Sequence, residues 1–242
     1  MTLTDKRILV VGGGSGIGFA VAEAAAAAGA QVTVASSNAD KVAQAASRIG
    51  NRATGAKLDV TNEDEVAAFF GKTERFDHIA FTAGDWGGPR RAPLVETDLK
   101  QAAALFNVRF WGALAVAKHA AKTMTPGSSL ILTDGMIAHR PQKGSAISTA
   151  MTGAVEHVTR ALAVEFAPVR VNAVCPGLIR TGIWERIPED RRARELADMT
   201  SRQLIPRVGE PNEVAEAYLY LMRGGYTTGQ VLYVEGGRAL TG

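Results

Sequence analysis

A glycine-rich turn near the start of the chain lies between a buried-strand pattern and a helical pattern. Ile8-Leu9-Val10-Val11 is an apolar run, residues 12–18 contain five glycines, and Phe19 to Ala28 is an Ala-rich helical pattern. Glycines at 12, 16 and 18 suit a tight turn, a close approach of backbone N–H groups to a pyrophosphate, and close packing of helix on strand. Since the helix N-terminus carries partial positive charge, the unit predicts a dinucleotide-binding site rather than a purely structural turn.

Length and charge are consistent with a single domain that binds no nucleic acid. The 242 residues carry a formal net charge of +3, with 27 basic and 24 acidic residues interspersed, and no linker-like stretch divides them. A single cysteine, Cys175, excludes an internal disulfide and suits a reducing compartment. Neither a signal-peptide pattern nor a long apolar segment is present, so we expect a cytoplasmic protein without membrane contact.

Strand and helix patterns alternate along the chain, which predicts an α/β fold. We expect a single Rossmann-type doubly wound domain over residues 1–242, with a seven-stranded, mainly parallel sheet and helices on both faces. One long helix is predicted from about Thr97 to Lys122 and another from about Ser145 to Phe166. The only long irregular segment is about 178–207, and its charges are expected on a solvated helix face. The predicted strands are 8–11, 31–35, 52–58, 78–81, 130–132, 169–174 and 231–234.

Further motifs follow the glycine turn in order. Asp59-Val60 comes after strand three, Ala83-Gly84 after strand four, Asn172 to Gly177 spans strand six, and Glu235-Gly236-Gly237 ends strand seven. Together with Gly12-x-x-x-Gly16-x-Gly18, these motifs resemble those of the single-domain short-chain dehydrogenases/reductases over nearly the whole chain. The resemblance implies that the irregular segment, about 178–207, covers the substrate. The resemblance implies a nicotinamide dinucleotide held by Gly12, Ser15, Gly16, Ile17, Gly18, Ser36, Ser37, Asp59, Val60, Ala83, Gly84, Pro176, Gly177, Ile179 and Thr181.

The catalytic motif of that family is missing. Its members carry Tyr-x-x-x-Lys on the helix after strand five, where the four-residue spacing places both side chains on one helical face, and a serine just after that strand. The register set by the following helix places Ser148 at the tyrosine position, Thr152 at the lysine position and Gly135 at the serine position. Ordinary carbonyl reduction by the family mechanism is therefore expected to be very slow or absent.

Several residues are candidates to replace the missing groups. Asn107 resembles the helix-four asparagine of the family and is expected to line the site; its alternative role is to bridge backbone groups in a distorted helix turn. Ser148, at the tyrosine position, is a candidate catalytic hydroxyl or simply a small polar helix residue. Asp134, His139 and Lys143 are weaker candidates for proton transfer, since each is equally compatible with a turn or a solvated loop. In addition, Trp86 and Trp184 are expected either to line the pocket or to pack. No metal site is expected.

The end of strand two bears on cofactor choice. The segment Ala35-Ser36-Ser37-Asn38 has no carboxylate to repel a 2′-phosphate, and its hydroxyls and the next helix N-terminus can donate to one. NADP(H) is therefore expected in preference to NAD(H), although Ser15 and Ser37 stand where NADP-preferring relatives often have a basic residue, and Asp40 is nearby.

Two function classes remain open from the sequence. The first is an oxidoreductase acting on a carbonyl or alcohol, with an unidentified small-molecule substrate and a non-standard proton donor. The second is a cofactor-binding protein without turnover, acting as a sensor or as a partner subunit. Small-residue-rich helices at 102–121 and 150–166 resemble the family's pairing helices, which predicts a homodimer or homotetramer.

Overall fold

The computed structural model of the protein describes residues 2–84 and 92–241, so Trp86 lies outside the described residues. Seven parallel strands form one sheet in the order β3-β2-β1-β4-β5-β6-β7. The strands are β1 Arg7–Val11, β2 Gln31–Ser36, β3 Ala53–Lys57, β4 His78–Phe81, β5 Ser129–Thr133, β6 Arg170–Pro176 and β7 Val231–Val234. The order reverses between β1 and β4, which opens a crevice beyond their carboxyl ends.

Helices cover both faces of this sheet, which confirms the predicted doubly wound α/β fold. They are α1 Gly16–Ala27, α2 Ala39–Ile49, α3 Glu63–Lys72, α4 Leu99–Ala103, α5 Ala113–Ala120, α6 Ala146–Glu165, α7 Glu189–Thr200 and α8 Pro211–Arg223. Alternate strand residues point to opposite faces: Val10 and Ile131 join the core beneath α1, α2 and α8, whereas Leu9 and Leu132 join the core beneath α3, α5 and α6. Within the described residues no helix is long and apolar enough to cross a membrane.

The long helix predicted from Thr97 to Lys122 is wrong as a continuous α-helix. Instead α4 is followed by a π-helical turn, Asn107–Gly112, and only then by α5. Gly112 explains part of this geometry, because a Cβ at that position would lie 2.6 Å from Cγ2 of Val60. The wider turn brings the backbone of this segment against the end of β3, and π-helical turns of this kind are frequent at functional sites.

The segment 178–207 is less irregular than its sequence indicated. It contains a 3-10 turn, Gly182–Arg186, and the three-turn helix α7, in which most charged residues are exposed while Leu196 and Thr200 are buried. Ile179 bridges to Gly209 in parallel fashion, which anchors the start of this segment to the residues before α8. The segment 178–207 therefore begins and ends at the same edge of the crevice.

Candidate active site

The glycine turn after β1 is shaped by contacts that exclude side chains. Gly12 has φ +87°, and a Cβ there would lie 2.4 Å from the backbone nitrogen of Ala83. A Cβ on Gly18 would lie 2.3 Å from the carbonyl oxygen of Gly12, so helix α1 packs directly against the turn. Ser15 precedes α1 without capping it through its side chain. The first N–H groups of α1 therefore have no side-chain acceptor from this residue and form the kind of N-terminus that binds phosphate.

Beside this turn, the end of β2 and the start of α2 carry donors and a positive charge. Asn38 caps α2 by accepting from the Lys41 backbone N–H at 2.9 Å. The Lys41 Cβ lies 3.2 Å from the position of a Cβ on Gly14, and the Ser36 hydroxyl lies 3.6 Å from the same point. Lys41 thus stands beside Ser36 and the glycine turn. Positions 15 and 37, where a basic residue was sought, hold serines, and Lys41 was not predicted from the sequence.

After β3, the predicted cofactor residues Asp59 and Val60 lie beside the π-helical turn. The Asp59 carboxylate accepts hydrogen bonds from the Thr61 hydroxyl at 2.7 Å and the Thr61 N–H at 2.9 Å. The hydroxyl bond, followed by the amide bond, lowers the pKa of Asp59 below its usual range. Val60 is buried and packs on Gly112, so both residues are held in defined positions.

On the other side of the crevice, residues after β6 close toward the glycine turn. A Cβ on Gly177 would lie 2.7 Å from Cα of Glu235, so the segment after β6 packs tightly on the end of β7. Farther along, the Thr181 methyl lies 3.2 Å from the position of a Cβ on Gly16. The structure therefore brings the predicted cofactor residues of both halves of the sheet to one crevice.

Gly135, Ser148 and Thr152, the positions that lack the expected catalytic side chains, lie together. They present no proton donor to the crevice. A Cβ on Gly135 would lie 3.3 Å from the Thr152 methyl, so the end of β5 faces this turn of α6. The Ser148 hydroxyl donates to the Ser145 carbonyl at 3.1 Å, and the Thr152 hydroxyl donates to the Ser148 carbonyl at 2.9 Å. Both hydroxyl protons are thus directed into the α6 backbone, as is common for serine and threonine within helices.

An arginine that the sequence analysis missed lies next to these positions. Arg109, in the π-helical turn, is only 7% exposed, and its Nη1 donates to the Asp134 carbonyl at 3.0 Å. The same nitrogen lies 3.9 Å from the position of a Cβ on Gly135, while Nη2 lies 2.3 Å from that of a Cβ on Gly84. Burial lowers the pKa of the guanidinium, which nonetheless stays charged. A cation therefore lies between the ends of β4 and β5.

Asn107, which the sequence analysis placed in the site, is solvent-exposed at the start of the π-helical turn. The prediction treated residues 97–122 as a regular helix, whereas a π-helical turn changes which residues face the crevice. Arg109, two residues later, lies between the ends of β4 and β5. A signal was present in the sequence: an arginine flanked by Val108 and Phe110 in an otherwise apolar helical stretch.

A buried polar cluster lies one helical turn farther along α6. Asp134 is 0% exposed, and its Oδ2 lies 3.5 Å from Nε2 of His139. The same His139 nitrogen lies 2.9 Å from Oε2 of Glu156 and 3.0 Å from the Tyr233 hydroxyl, while Arg160 pairs with the other Glu156 oxygen at 2.5 Å. Burial, with Glu156 adding like-charge repulsion, raises the pKa of Asp134 to about 6 despite the nearby Gly135 amide and His139.

Comparison with known proteins identifies the family. A family model described as enoyl-(acyl carrier protein) reductase matches residues 12–239. The chain is 34% identical over 256 residues to the short-chain dehydrogenase/reductase ATR9 of Stachybotrys chlorohalonatus, covering 99% of each. It is 34% identical over 255 residues to the short-chain dehydrogenase/reductase malC of Malbranchea aurantiaca, covering 98% of this chain and 96% of the relative.

The chain belongs to the short-chain dehydrogenase/reductase family. Among solved structures, the MalC reductase/Diels-Alderase from Malbranchea aurantiaca matches this short-chain dehydrogenase/reductase with a TM-score of 0.90 and 31% identity over 98% of each chain. A small-chain dehydrogenase in complex with NADPH matches with a TM-score of 0.83 and 33% identity, covering 98% of this chain and 99% of that one.

Lys143 and Trp184 are the remaining candidates for this short-chain dehydrogenase/reductase site. Lys143 is exposed in the loop before α6, whereas the His139 side chain is only 26% exposed and belongs to the buried cluster. Trp184 donates from Nε1 to the Ile179 carbonyl at 2.6 Å, which fastens the 3-10 turn to the segment after β6. Trp184 therefore has a structural contact of its own, and the structure separates Lys143 from Asp134 and His139 by exposure.

Proposed function

We propose that this short-chain dehydrogenase/reductase is an NADP(H)-dependent oxidoreductase acting on a carbonyl or alcohol substrate through a non-standard proton donor. The observation that carries the proposal is the crevice itself: the glycine turn, the uncapped start of α1, and the closing segment at Thr181 all fit a nicotinamide dinucleotide. When bound, the cofactor supplies or accepts the hydride. The chain's own residues must then bind it, position the substrate and exchange a proton.

The preference for NADP(H) is supported by charge at the end of β2. Ser36 and Lys41 lie beside the glycine turn with no carboxylate at the strand end, and one solved relative is described in complex with NADPH. An ammonium pairs with phosphate as a point charge, and a hydrogen bond to a charged group is worth about 1.5–3 kcal/mol. Lys41→Ala should therefore weaken NADPH binding about 10- to 100-fold and leave NADH binding nearly unchanged, as measured by fluorescence titration.

Lys72→Ala is the matched control, because Lys72 is an exposed lysine at the far end of α3. Its NADPH affinity should equal that of the unchanged protein. Tighter binding of NADH than of NADPH by the unchanged protein would overturn the cofactor preference. An equal loss of affinity for both cofactors in Lys41→Ala would place the lysine on a part of the molecule that the two cofactors share.

Proton transfer is assigned to Asp134 with His139. A carboxyl group with a pKa of about 6 is present in both protonation states near neutral pH, which suits a general acid or base. The partly exposed His139 ring lies between this carboxyl and solvent, so it provides a route for reprotonation. Arg109, held by the Asp134 carbonyl, supplies positive charge at the crevice where an oxygen would gain negative charge.

The test is hydride exchange with a panel of ketones, aldehydes and alcohols, followed spectroscopically at the nicotinamide. Asp134→Asn should lower kcat about 100- to 10,000-fold, the usual contribution of general acid–base catalysis, with little change in KM. His157→Gln is the control, because His157 lies exposed on α6 with its ring bonded to the Gly153 carbonyl. Full activity in Asp134→Asn would refute the assigned donor.

A cofactor-binding protein without hydride transfer is the second candidate. It is favoured by one specific observation: the Ser148 and Thr152 hydroxyls donate to backbone carbonyls, and Gly135 has no side chain to offer. A crevice of this kind also suits chemistry that needs no proton donor, and one solved relative is described as a reductase/Diels-Alderase. Tight NADPH binding with no hydride exchange across the whole panel would support this candidate over the first.

We further propose a homodimer or homotetramer in the cytoplasm. Trp111 and Val164 support the assembly, because they are 60% and 82% exposed on the two segments predicted to pair. Light scattering at micromolar concentration should give at least twice the 25.5 kDa chain mass. A monomer would contradict the assembly.

A further inference from the structure

Three parallel strands end with chemically reactive side chains on the same face of the sheet. The β5–β6 register pairs Thr133 with Val174, so the next residues, Asp134 and Cys175, are neighbours, and Cys175 pairs in turn with Tyr233 of β7. All three point toward α6, because Leu132, Ala173 and Val231 two residues earlier belong to the core beneath that helix. The carboxylate and thiol are thus placed side by side by strand register.

The loop after β5 and helix α6 complete this group. One ligand-capable atom each from Asp134, His139 and Cys175 lies within 4.8 Å of the others. His139 Nε2 is 3.5 Å from Asp134 Oδ2 and 2.9 Å from Glu156 Oε2. Asp134 and Cys175 are both 0% exposed, and Glu156 is 8% exposed. The group is therefore a largely buried set of one nitrogen, one sulfur and one carboxylate, with the Glu156 carboxylate beside the nitrogen.

The Asp134 carboxylate lacks hydrogen-bond partners among the described residues. Neither of its oxygens makes a hydrogen bond of normal geometry to any described residue, although the Gly135 amide and the His139 ring lie nearby. A buried charge without full hydrogen bonding is costly, and proteins normally pair it or give it to a metal ion. This orphaned carboxylate is aimed into the space that it shares with the Cys175 thiol and the His139 imidazole.

The separations match those of ligands around a small transition-metal ion. Zn²⁺ binds sulfur at about 2.3 Å and nitrogen or oxygen at about 2.0–2.2 Å, which puts tetrahedral ligand atoms about 3.3–3.8 Å apart. The 3.5 Å separation between Asp134 and His139 lies within that range, and the 4.8 Å limit requires a movement of about 1 Å. We propose that Asp134, His139 and Cys175 form a site for Zn²⁺ or a similar divalent transition metal, with Glu156 paired to His139 beside it.

The surrounding residues fit this role. Arg160 holds Glu156 Oε1 at 2.5 Å and so orients the other oxygen toward His139, as residues around metal ligands do. The site was not predicted from sequence, because its ligands are spread from position 134 to position 175 without a ligand-spacing motif. Bound metal would occupy Asp134 and His139 and so inhibit proton transfer. That consequence rests on the proposed function, whereas metal binding itself does not.

Cobalt is the probe of choice, because Co²⁺ replaces Zn²⁺ and shows visible bands when tetrahedral and a near-ultraviolet band when bound to thiolate. The full-length protein, stripped with chelator and reduced, should bind about one equivalent of Co²⁺ with the thiolate band. Cys175→Ala should abolish that band. Asp134→Asn, which is isosteric, should weaken binding at least about tenfold, the lower end of the effect of changing even a residue around the ligands.

His157→Gln is again the matched control and should bind Co²⁺ as the unchanged protein does, since His157 is exposed on α6 and its ring is bonded to the Gly153 carbonyl. Thermal melting in chelator verifies that each variant is folded. If Cys175→Ala does not fold, the Co²⁺ affinity of Asp134→Asn alone tests the proposal. Absence of saturable binding, or binding that neither variant changes, would overturn the proposal. No substrate is used, so failure of the reductase activity and failure of metal binding are independent results.

Discussion

Replacing Asp134 by asparagine should stabilise the protein, and increasingly so as the pH rises. The folded structure raises the pKa of this carboxyl from 3.8 to about 6, mainly because it is buried. The folded state therefore holds a proton that the unfolded state releases between about pH 4 and pH 6. Asp134 contributes most to stability below pH 4, and this contribution is lost as the pH rises through about 6. Asparagine has the same shape and never ionises.

The size of the effect follows from the shift. About two pKa units at about 1.4 kcal/mol each give about 3 kcal/mol of pH-dependent free energy of unfolding. For a chain of this length, about 2–4 °C in Tm accompanies each kcal/mol, so the Tm gain of Asp134→Asn should be about 6–12 °C larger at pH 8 than at pH 4. The neighbouring Glu156 raises the pKa of this carboxyl and His139 lowers it, so both charges contribute to the shift beside burial.

Differential scanning calorimetry from pH 4 to pH 8, in chelator, measures this difference. Asp198→Asn is the matched control, because that carboxylate is exposed on α7 and its loss should change Tm little at any pH. A Tm difference that stays constant from pH 4 to pH 8, or an Asp134→Asn variant that loses stability at pH 8, would refute the reasoning. A confirmed gain would mean that the protein retains a destabilising carboxylate, which is typical of functional sites.

Two further predictions concern the crevice and the sheet. Gly135→Ser, Ser148→Tyr and Thr152→Lys together should not restore ketone reduction, because the new ammonium would lie near the Arg109 guanidinium. Adding Arg109→Asn should produce measurable NADPH oxidation, and equal activity in both variants would contradict this. His78→Gln should make the protein more resistant to acid denaturation. Burial, followed by a nearby arginine, lowers the pKa of His78 to about 4, so below about pH 6.5 protonation of this histidine favours the unfolded state. Identical acid midpoints would contradict it.

The fold and the cofactor crevice follow from the sequence because their signals are local. Alternating strand and helix patterns, a glycine turn flanked by both, and Asn62 before α3 each determine structure within a few residues. Lys41 was not predicted, because only the residues at the end of β2 were considered for cofactor choice. Lys41 lies in the first turn of α2, which Asn38 caps and which lies beside the glycine turn.

The location of Arg109 shows the limit of periodicity. A 3.6-residue period over residues 97–122 predicts one continuous face, and a π-helical turn changes that face without a proline in the segment. The cause is distant in sequence: Gly112 packs on Val60, about 50 residues earlier. An interaction between chain segments, and not a local preference, therefore decides which side chain reaches the crevice.

The Asp134 cluster is intermediate between these cases. Strand periodicity alone places Asp134, Cys175 and Tyr233 on the face beneath α6, since each follows an apolar residue of that face by two positions, and parallel register makes them neighbours. Their association could therefore have been predicted once the strand order was known. The positions of His139 and Glu156 could not, because a short loop and the rotation of a helix determine them. Those two residues convert three adjacent strand ends into a buried site with its own chemistry, in which a proton and a metal ion compete for the same carboxylate.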